Sequence, residues 1–294
     1  MYTKYTYSHF TQITLTEIVR RSNRSIRILD FSHFFIDLPP LPLQETLPQE
    51  IEIIHRPLFA PESIWQATLD KMYKYCCQSN TFALFLHAFS ATAFGEKTIN
   101  TFKSNNIAVR IIESPVEIIK FARKQKETRF YLFVSGFEPI TAIIAAIILA
   151  AQNEHLTNLY FSIELYQSSQ FVPIIYRKQA TPIDGIFVPG SIVAPLGNEI
   201  YETMLPALSV PIIITGTEAP DILQSISMLL AQLEQKTHKI EIQYRSGIRP
   251  QGNPMSRQKI ESVFGVADIT LPDLELIPNG RFTSKPDFAP YIIA

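Results

Sequence analysis

The sequence predicts an α/β protein made of two units, each with a mainly parallel sheet flanked by helices, that face a cleft. Two observations lead to this prediction. Runs rich in β-branched and aromatic residues alternate with helical patterns along almost all of the 294 residues. Proline recurs at the predicted helix starts, where its missing N–H costs nothing and its fixed φ suits the first turn. Such alternation is typical of parallel sheets with helices on both faces.

The individual elements follow from these patterns in chain order. Strands are predicted at Ile26–Phe31, Ile51–Ile54, Phe82–Ala88, Ala108–Ile112, Phe130–Ser135, Leu159–Ile163, Gly185–Val188 and Pro211–Thr215. Helices are predicted to begin near Thr14, Pro61, Glu96, Pro115, Pro139, Ser168, Pro195, Pro220 and Pro254. We expect an N-terminal domain over residues 1–125, a second α/β domain over 126–268 and a tail over 269–294.

The most apolar stretch, VSGFEPITAIIAAIILAA at residues 134–151, raises the question of a membrane span. Its apolar part covers only about a dozen residues, whereas a helix needs roughly 20 to cross a bilayer. Extending the stretch backward places Glu138 and Pro139 near its middle, and a carboxylate there is costly in lipid. The stretch therefore predicts the end of a buried strand, a Gly-Glu-Pro turn and a buried helix.

Two segments resemble each other within the chain. FVSGFEPITAIIAAIILA and IITGTEAPDILQSISMLL both contain a strand, a Ser/Thr-Gly-x-Glu turn, a proline and an apolar helix. Gly136 corresponds to Gly216, and Glu138 corresponds to Glu218. Such turns lie at the carboxyl edge of a parallel sheet, where open α/β folds bind ligands. Two interpretations are open: the glutamates cap their helices, or they lie across one cleft.

Composition restricts the classes of partner. Hydrophobic residues make up 46% of the chain and charged residues 18%, which is typical of a folded core and argues against disorder. Lys plus Arg (26) nearly equals Asp plus Glu (27), so charge favours neither a nucleic-acid partner nor an anionic membrane. The N-terminal segment has no unbroken apolar region and no small-residue cleavage site, so we expect a cytoplasmic protein.

Local metal and redox motifs are not found in the sequence. Cys76 and Cys77 are adjacent, so they form neither a CxxC redox motif nor half of a zinc site. The six histidines are scattered and show no HxH or HExxH spacing. The simplest interpretation of the cysteine pair is two small residues on a buried helix.

Four stretches together resemble the HypD family, whose members are scaffolds in the maturation of NiFe hydrogenases. The family pattern has a GFE turn, a PGHVS-like loop, a GFEPxDIL turn and an NQYxRxVxxEGN stretch. Here these stand, in order, as GFE at 136–138, PGSIV at 189–193, GTEAPDIL at 216–223, and QYR through GNP at 243–254. The resemblance extends from about Ser25 to about Phe288.

The resemblance implies a particular fold and chemistry. A HypD protein and a small β-barrel partner, HypC, hold an iron on which cyanide and carbon monoxide ligands are assembled. Its fold comprises two α/β domains facing a cleft and a cysteine-rich tail that carries a 4Fe-4S cluster. The expected partner is therefore a HypC-like small chaperone or a hydrogenase maturation complex.

This sequence departs from the family at the metal-binding positions. The CGTHTH motif aligns with residues 32–37, so Ser32 stands at the essential cysteine, and Phe35 and Asp37 stand at the histidines. The GPGCPVC motif aligns with residues 56–62, where Phe59 and Glu62 replace both cysteines. Iron of this kind and iron–sulfur clusters need thiolate ligands. The sequence ends about where the family's cluster-bearing tail would start, so we expect neither the iron, the cluster nor the tail domain, and we predict no cofactor and no metal ligands.

Candidate site residues come from the turns and the aligned motifs. Arg245 and Arg249 are candidates for binding a partner or an anion, although Gly247, Gly252 and the Asn253-Pro254 pair would equally suit turns and a helix start. The cleft candidates are Ser32, His33, Asp37, Gly136, Glu138, Ser191, Gly216 and Glu218.

Two functional hypotheses result. The first is a HypD-like binding or regulatory scaffold that is not an enzyme, because the ligating cysteines are replaced. The second is an enzyme or small-molecule-binding protein that uses Glu138, Glu218, His33 and Asp37 in the cleft, since two carboxylates in different environments can share acid–base work. The absence of GxGxxG, Walker A and GxSxG motifs argues against the second hypothesis.

Overall fold

The computed structural model describes residues 25–31, 47–55, 62–271 and 275–293. The α/β prediction is confirmed, since two parallel sheets are flanked by helices. The predicted helix near Thr14 and the candidates Ser32, His33 and Asp37 lie outside the described residues, as does Phe59. The strands are β1 (Ile26–Asp30), β2 (Ile51–His55), β3 (Thr81–Leu86), β4 (Val109–Ile112), β5 (Arg129–Gly136), β6 (Leu159–Leu165), β7 (Gly185–Pro189), β8 (Ile212–Thr215), β9 (Ile240–Ile242), β10 (Phe264–Thr270) and β11 (Leu276–Ser284).

The helices mostly begin close to their predicted starts. The predictions at Pro61, Pro115, Pro139, Ser168, Pro220 and Pro254 lie within two residues of the observed starts. The helices are α1 (Glu62–Cys76), α2 (His87–Ser90), α3 (Ala93–Ser104), α4 (Glu117–Lys124), α5 (Glu138–Asn153), α6 (Ser168–Arg177), α7 (Gly190–Val193), α8 (Glu199–Glu202), α9 (Leu205–Leu208), α10 (Ala219–Glu234) and α11 (Pro254–Val263), and a 3-10 helix covers Pro286–Tyr291.

Two helix starts differ from the prediction. The helix expected near Glu96 begins at Ala93, because the Thr92 side chain accepts a hydrogen bond from Gly95 N at 2.8 Å and caps the helix earlier. No helix begins at Pro195. Its carbonyl instead accepts a hydrogen bond from Asn253 N at 3.2 Å, so this segment forms a turn against a distant loop.

The chain forms two compact units, and each unit contains two stretches that are separate in sequence. The first contains residues 1–58 and 171–253, and the second contains 59–170 and 254–294. The ranges expected from the sequence, 1–125, 126–268 and 269–294, are contiguous, whereas each of these units combines two separate segments; the expected domain boundaries stay a prediction. The reason for the separate segments is strand pairing. β1 pairs with β2 on one side and with β7, which lies far along the chain, on the other.

The first unit contains a five-stranded sheet in the order β2-β1-β7-β8-β9. All of its strand pairs are parallel. Helix α10 packs on this sheet through Ile226 and Leu229, which join Ile28, Phe187 and Ile213 in one buried cluster. The sheet therefore holds the carboxyl ends of β7, β8 and β9 in a fixed row.

The second unit contains a four-stranded parallel sheet in the order β4-β3-β5-β6 and an antiparallel hairpin, β10-β11. The apolar stretch at 134–151 forms the end of β5, a turn and helix α5, as predicted. Ile144, Ile148 and Ala151 are fully buried in this helix, which accounts for its hydrophobicity. Within the described ranges, no helix is long and apolar enough to cross a membrane.

Candidate functional site

Three of the four motif stretches meet at one edge of the first unit's sheet. Strands β7, β8 and β9 are parallel neighbours, and the segments after them contain Gly190, Gly216 and Gln243. Because neighbouring parallel strands end at the same edge of a sheet, these segments lie together although they are distant in sequence. Residues 189–191, 215–218 and 243–244 are here called the motif edge.

Gln243 connects two of these segments through its side-chain amide. Gly216 N donates a hydrogen bond to Gln243 Oε1 at 3.0 Å. Gln243 Nε2 donates to Asp221 Oδ1 at 2.9 Å and to Gln224 Oε1 at 3.1 Å. One amide thus fixes both the turn after β8 and the start of α10, which makes Gln243 the central residue of the motif edge.

Two buried hydroxyl groups, those of Thr215 and Ser225, also stabilise the turn after β8. The Thr215 hydroxyl donates to the Gly216 carbonyl at 2.9 Å, and the buried Ser225 hydroxyl donates to Thr215 Oγ1 at 2.7 Å. A Cβ on Gly216 would lie 2.1 Å from Asp221 Oδ2, so a larger residue there would displace Asp221. A side chain at position 216 would therefore disturb the hydrogen bond between Asp221 and Gln243.

Glu218 caps its own helix, as the first interpretation of the repeated turns proposed. Its carboxylate accepts a hydrogen bond from the backbone at the third helical position, and Glu218 N donates to Asp221 Oδ2 at 3.4 Å. This reciprocal pair is a capping box, which satisfies backbone donors that the helix itself leaves open. Glu218 is exposed.

The loop after β7 packs against the stretch after β9. A Cβ on Gly190 would lie 2.2 Å from Tyr244 Cδ1, so the tyrosine ring rests directly on the Gly190 backbone. Farther along, Gly197 (φ +90°) and Gly252 (φ +79°) bring two backbones together: a Cβ on Gly252 would lie 2.4 Å from Leu196 C. Ser191, the second residue of α7, is exposed beside this contact.

Arg245 and Arg249 lie on the exposed loop that follows β9. Between them Gly247 adopts φ +77°, and a Cβ there would meet nothing within 4 Å. Across the part of the chain that the structure describes, neither arginine has a salt bridge. The loop therefore presents two cationic side chains to solvent next to the motif edge.

In the second unit, the corresponding turn holds its glutamate differently. Glu138 is fully buried, and its Oε1 accepts hydrogen bonds from Ser168 N at 2.9 Å and Ser168 Oγ at 3.0 Å. Its Oε2 has no partner among the described residues. Burial raises the pKa of Glu138 to about 7, although the hydrogen bonds from its own amide and from Ser168 oppose this rise.

The Gly136 turn explains how this carboxyl is placed. Gly136 adopts φ +149°, and a Cβ there would lie 2.6 Å from Ile140 Cγ2, so only glycine suits both the backbone and the packing. Phe137 precedes α5 but supplies no capping hydrogen bond. The two similar segments thus use their glutamates for different purposes: Glu138 joins α5 to the start of α6, whereas Glu218 caps α10.

The resemblance implies an iron with thiolate ligands, and the only cysteines among the described residues are Cys76 and Cys77. Cys76 is buried, and burial followed by the charge of Cys77 raises its pKa to about 12, so it remains a thiol at neutral pH. No group of three or more His, Cys, Asp or Glu side chains within the described ranges could hold a metal ion. The donors in this part of the chain do not fit an iron centre with thiolate ligands.

Asp221, Gln243 and Tyr244 lie inside the motif stretches, but none of them was a predicted site residue. For Asp221 the available signal was its place at a predicted helix start. Gln243 and Tyr244 follow β9, which was not predicted, so only their place in a motif marked them. The cleft role predicted for Gly136, Glu138, Ser191, Gly216 and Glu218 stays a prediction, as does the partner role of the two arginines.

Comparison with known proteins gives a consistent result. The HypD family model, described as the hydrogenase formation hypA family, matches residues 19–293. Hydrogenase maturation factor HypD1 of Bradyrhizobium diazoefficiens is 25% identical over 258 residues, which cover 85% of this chain and 68% of that protein. Hydrogenase maturation factor HypD of Escherichia coli is 25% identical over 251 residues, covering 84% of this chain and 66% of that protein.

A hydrogenase expression/formation protein of Methanocaldococcus jannaschii is 25% identical over 187 residues, which cover 64% of this chain and 52% of that protein. The chain therefore spans between about half and two-thirds of the length of these relatives. Because the family model matches well over half of the chain, the protein belongs to the HypD family of hydrogenase formation proteins.

Proposed function

We propose that this protein is a binding or regulatory scaffold in hydrogenase maturation that does not itself assemble the iron centre. The motif edge is the observation that favours this role. Its three segments keep a connected arrangement through the Gln243 side chain and the contact between Gly190 and Tyr244. Such connections keep a surface in a fixed shape, which a binding site for a partner needs.

The replaced ligands support a role without metal assembly. Ser32, Phe59 and Glu62 stand where the family pattern has cysteines. A hydroxyl, a phenyl ring and a carboxylate do not supply the soft sulfur ligands that low-spin iron needs. Cys76 and Cys77 do not align with those positions, and the Cys76 thiol is buried in α1.

The proposed partner is a HypC-like small chaperone or another protein of the maturation complex. Arg245 and Arg249 extend from the loop beside the motif edge and suit an acidic surface. Charges at the rim of an interface raise the association rate and select the partner. Ser191 and Glu218, both exposed at the motif edge, would complete the contact surface.

The alternative of an acid–base enzyme gains less support. A general acid or base must come within hydrogen-bond reach of its substrate. The Glu138 carboxyl is 0% exposed and is bonded to Ser168 within its own unit. The Glu218 carboxyl is engaged as a helix cap.

The experiment is a binding measurement between the purified chain and a HypC-like protein from the same organism. With iron removed by a chelator, we expect a complex in titration calorimetry and in size-exclusion chromatography. The double variant Arg245→Glu/Arg249→Glu should weaken binding by about tenfold or more, since it places like charges opposite an acidic partner.

The matched control is Lys97→Glu/Lys103→Glu, which makes the same charge change on exposed positions of α3 in the second unit. This variant should bind as the original protein does. A complex that forms only with iron would overturn the proposal, and so would equal weakening by the two double variants.

A further inference from the structure

A pocket in the second unit has no residue of the four motif stretches in its lining. Its volume is about 200 Å³, and it is lined by side chains of α1, β6 and β11 together with Ile292 and Ile293. Among its lining residues are Lys71, Glu164 and Arg281. None of these was selected by sequence reasoning, since each comes from a different element of the fold.

Glu164 is a fixed part of the pocket wall. The side chain is only 6% exposed. Its Oε1 accepts a hydrogen bond from Thr68 Oγ1, and its Oε2 accepts one from the Tyr166 hydroxyl at 2.7 Å. Burial, and then the Glu164 charge, raise the pKa of Tyr166 well above its ordinary value, so that hydroxyl remains a donor. Both carboxylate oxygens are therefore occupied by hydroxyl groups.

Arg281 balances the charge of Glu164 but is not hydrogen-bonded to it. Its Nη2 lies 3.9 Å from Glu164 Oε2, which is an ion pair beyond hydrogen-bond distance. The arginine Nε is buried and has no partner among the described residues. A buried donor of this kind is costly unless an acceptor reaches it.

The backbone around Arg281 is held firmly against β6. Gln167 N donates to the Gly280 carbonyl at 2.9 Å, and Arg281 itself forms a bridge with Tyr166. Ile293 N donates to the Phe161 carbonyl at 2.9 Å. The Arg281 backbone is thus fixed on the pocket wall. This lowers the entropy cost of ordering the arginine side chain around a ligand.

The remaining polar groups favour a negatively charged occupant. Lys71 on α1 is exposed at the pocket and adds a second positive charge, so the formal charge of the lining is positive after Glu164 is counted. Thr283 and Ser284 bring hydroxyl groups to the same wall. Arginine offers a planar fork of donors that matches the oxygens of carboxylates and phosphates.

We propose that this pocket binds a small oxyanion, with Arg281 as the principal ligand and Lys71 as the second positive group. The shared chemistry is that of a carboxylate or a phosphate group on a small molecule. The proposal does not depend on the scaffold role above, because the pocket lies in the second unit, whereas the motif edge lies in the first.

The test is titration of the full chain with inorganic phosphate and, separately, with acetate, at constant ionic strength. We expect saturable one-site binding of at least one anion, and the stronger of the two identifies the headgroup. Arg281→Gln should weaken binding by about tenfold or more, and Lys71→Gln by several-fold. Lys74→Gln, an exposed position on the same helix outside the pocket lining, should leave the affinity unchanged.

Glu164→Gln distinguishes a ligand site from a merely structural ion pair. The amide keeps an oxygen acceptor for a hydroxyl partner and removes the negative charge, so anion affinity should rise by several-fold. This variant and Lys71→Gln keep the test decisive if Arg281→Gln fails to fold. Absence of saturable binding of both anions would overturn the proposal, as would equal affinities in Lys71→Gln and Lys74→Gln or weaker binding in Glu164→Gln.

Discussion

Glu138 and Glu218 occupy equivalent places in two similar segments, yet their surroundings give them different chemistry. Glu218 is exposed and accepts a hydrogen bond from its own helix, so its charge is favourable at the positive end of α10. Glu138 has no exposed surface and a single bonded oxygen, so its charged form is disfavoured. Burial, rather than the local motif, therefore sets the pKa of Glu138.

The first prediction concerns the pH dependence of Glu138. Its pKa is raised to about 7 from the ordinary 4.5, so the folded protein binds this proton more tightly than the unfolded chain does. The stability contributed by neutral Glu138 is thus complete at low pH and is lost as the pH rises from about 4.5 to about 7. Glu138→Gln keeps an acceptor for Ser168 and cannot ionise, so it should be more stable than the original protein at pH 8, by at most about 3 kcal/mol.

The measurement is urea unfolding at pH 5 and pH 8. The gain from Glu138→Gln should be small at pH 5. Glu218→Gln serves as the control: it should lose about 0.3–1 kcal/mol at pH 8 through the weaker helix cap. A Glu138→Gln variant that is less stable than the original protein at both pH values would contradict the buried neutral carboxyl.

At the scale of elements, glycines decide whether the loops of the first unit can pack. Gly252 and Gly247 both have positive φ, but only Gly252 faces another backbone closely. We therefore expect Gly247→Ala to cost about 1 kcal/mol through φ alone. Gly252→Ala should cost roughly 2–4 kcal/mol, because its Cβ would overlap the Leu196 backbone as well. Thermal unfolding of the two variants checks the difference, and equal losses would contradict the packing argument.

Gln243 should matter for both the fold and the binding surface of the motif edge. Gln243→Ala removes the acceptor for Gly216 N and the donor to Asp221, so it should cost about 1–3 kcal/mol of unfolding free energy. Partner binding should weaken with it, since the turn after β8 loses its connection to β9. Gln258→Ala, an exposed position on α11, is the control and should change neither property. Unaltered stability in Gln243→Ala, measured by urea unfolding, would contradict this role.

The elements that the sequence predicted well are those with a strong local signal. The strands of the parallel sheets are apolar and β-branched because helices cover their faces. β9 was missed because its three residues are only half-buried. β11 was missed because it contains Pro278, Asn279 and Gly280, which indicate a turn; in the structure they lie opposite a register shift in β10 between Ala267 and Ile269.

The candidate site was harder to predict for a physical reason. The motif stretches contain Gly216, Asp221 and Gln243, of which only Gly216 was a predicted site residue. Their hydrogen bonds depend on β8 and β9 being neighbours, which no local pattern contains. The pair of Glu164 and Arg281 depends on β11 lying beside β6, so neither residue has any signal in its own segment. Contacts of this kind follow from sheet order rather than from residue preference.

At the scale of the whole molecule, the chain passes between its two units more than once. The first unit needs both residues 1–58 and residues 171–253, and the second needs 59–170 and 254–294. The sheet of the first unit needs both of its segments, because β1 in the first segment pairs with β7 in the second. A chain cut near residue 125 or 268 would therefore divide a unit instead of separating two.

The last prediction concerns iron and tests the proposed loss of metal assembly directly. Ser32, Phe59 and Glu62 stand at the positions where the family has cysteines, so thiolate ligands are missing there. Purified without oxygen and supplied with iron and sulfide, the protein should be colourless and contain far less than one iron per chain. A family member that keeps both cysteine motifs, treated in the same way, is the control for successful loading. Iron near one atom per chain, or infrared bands of bound cyanide and carbon monoxide, would mean that other side chains serve as ligands and that this protein still assembles the centre.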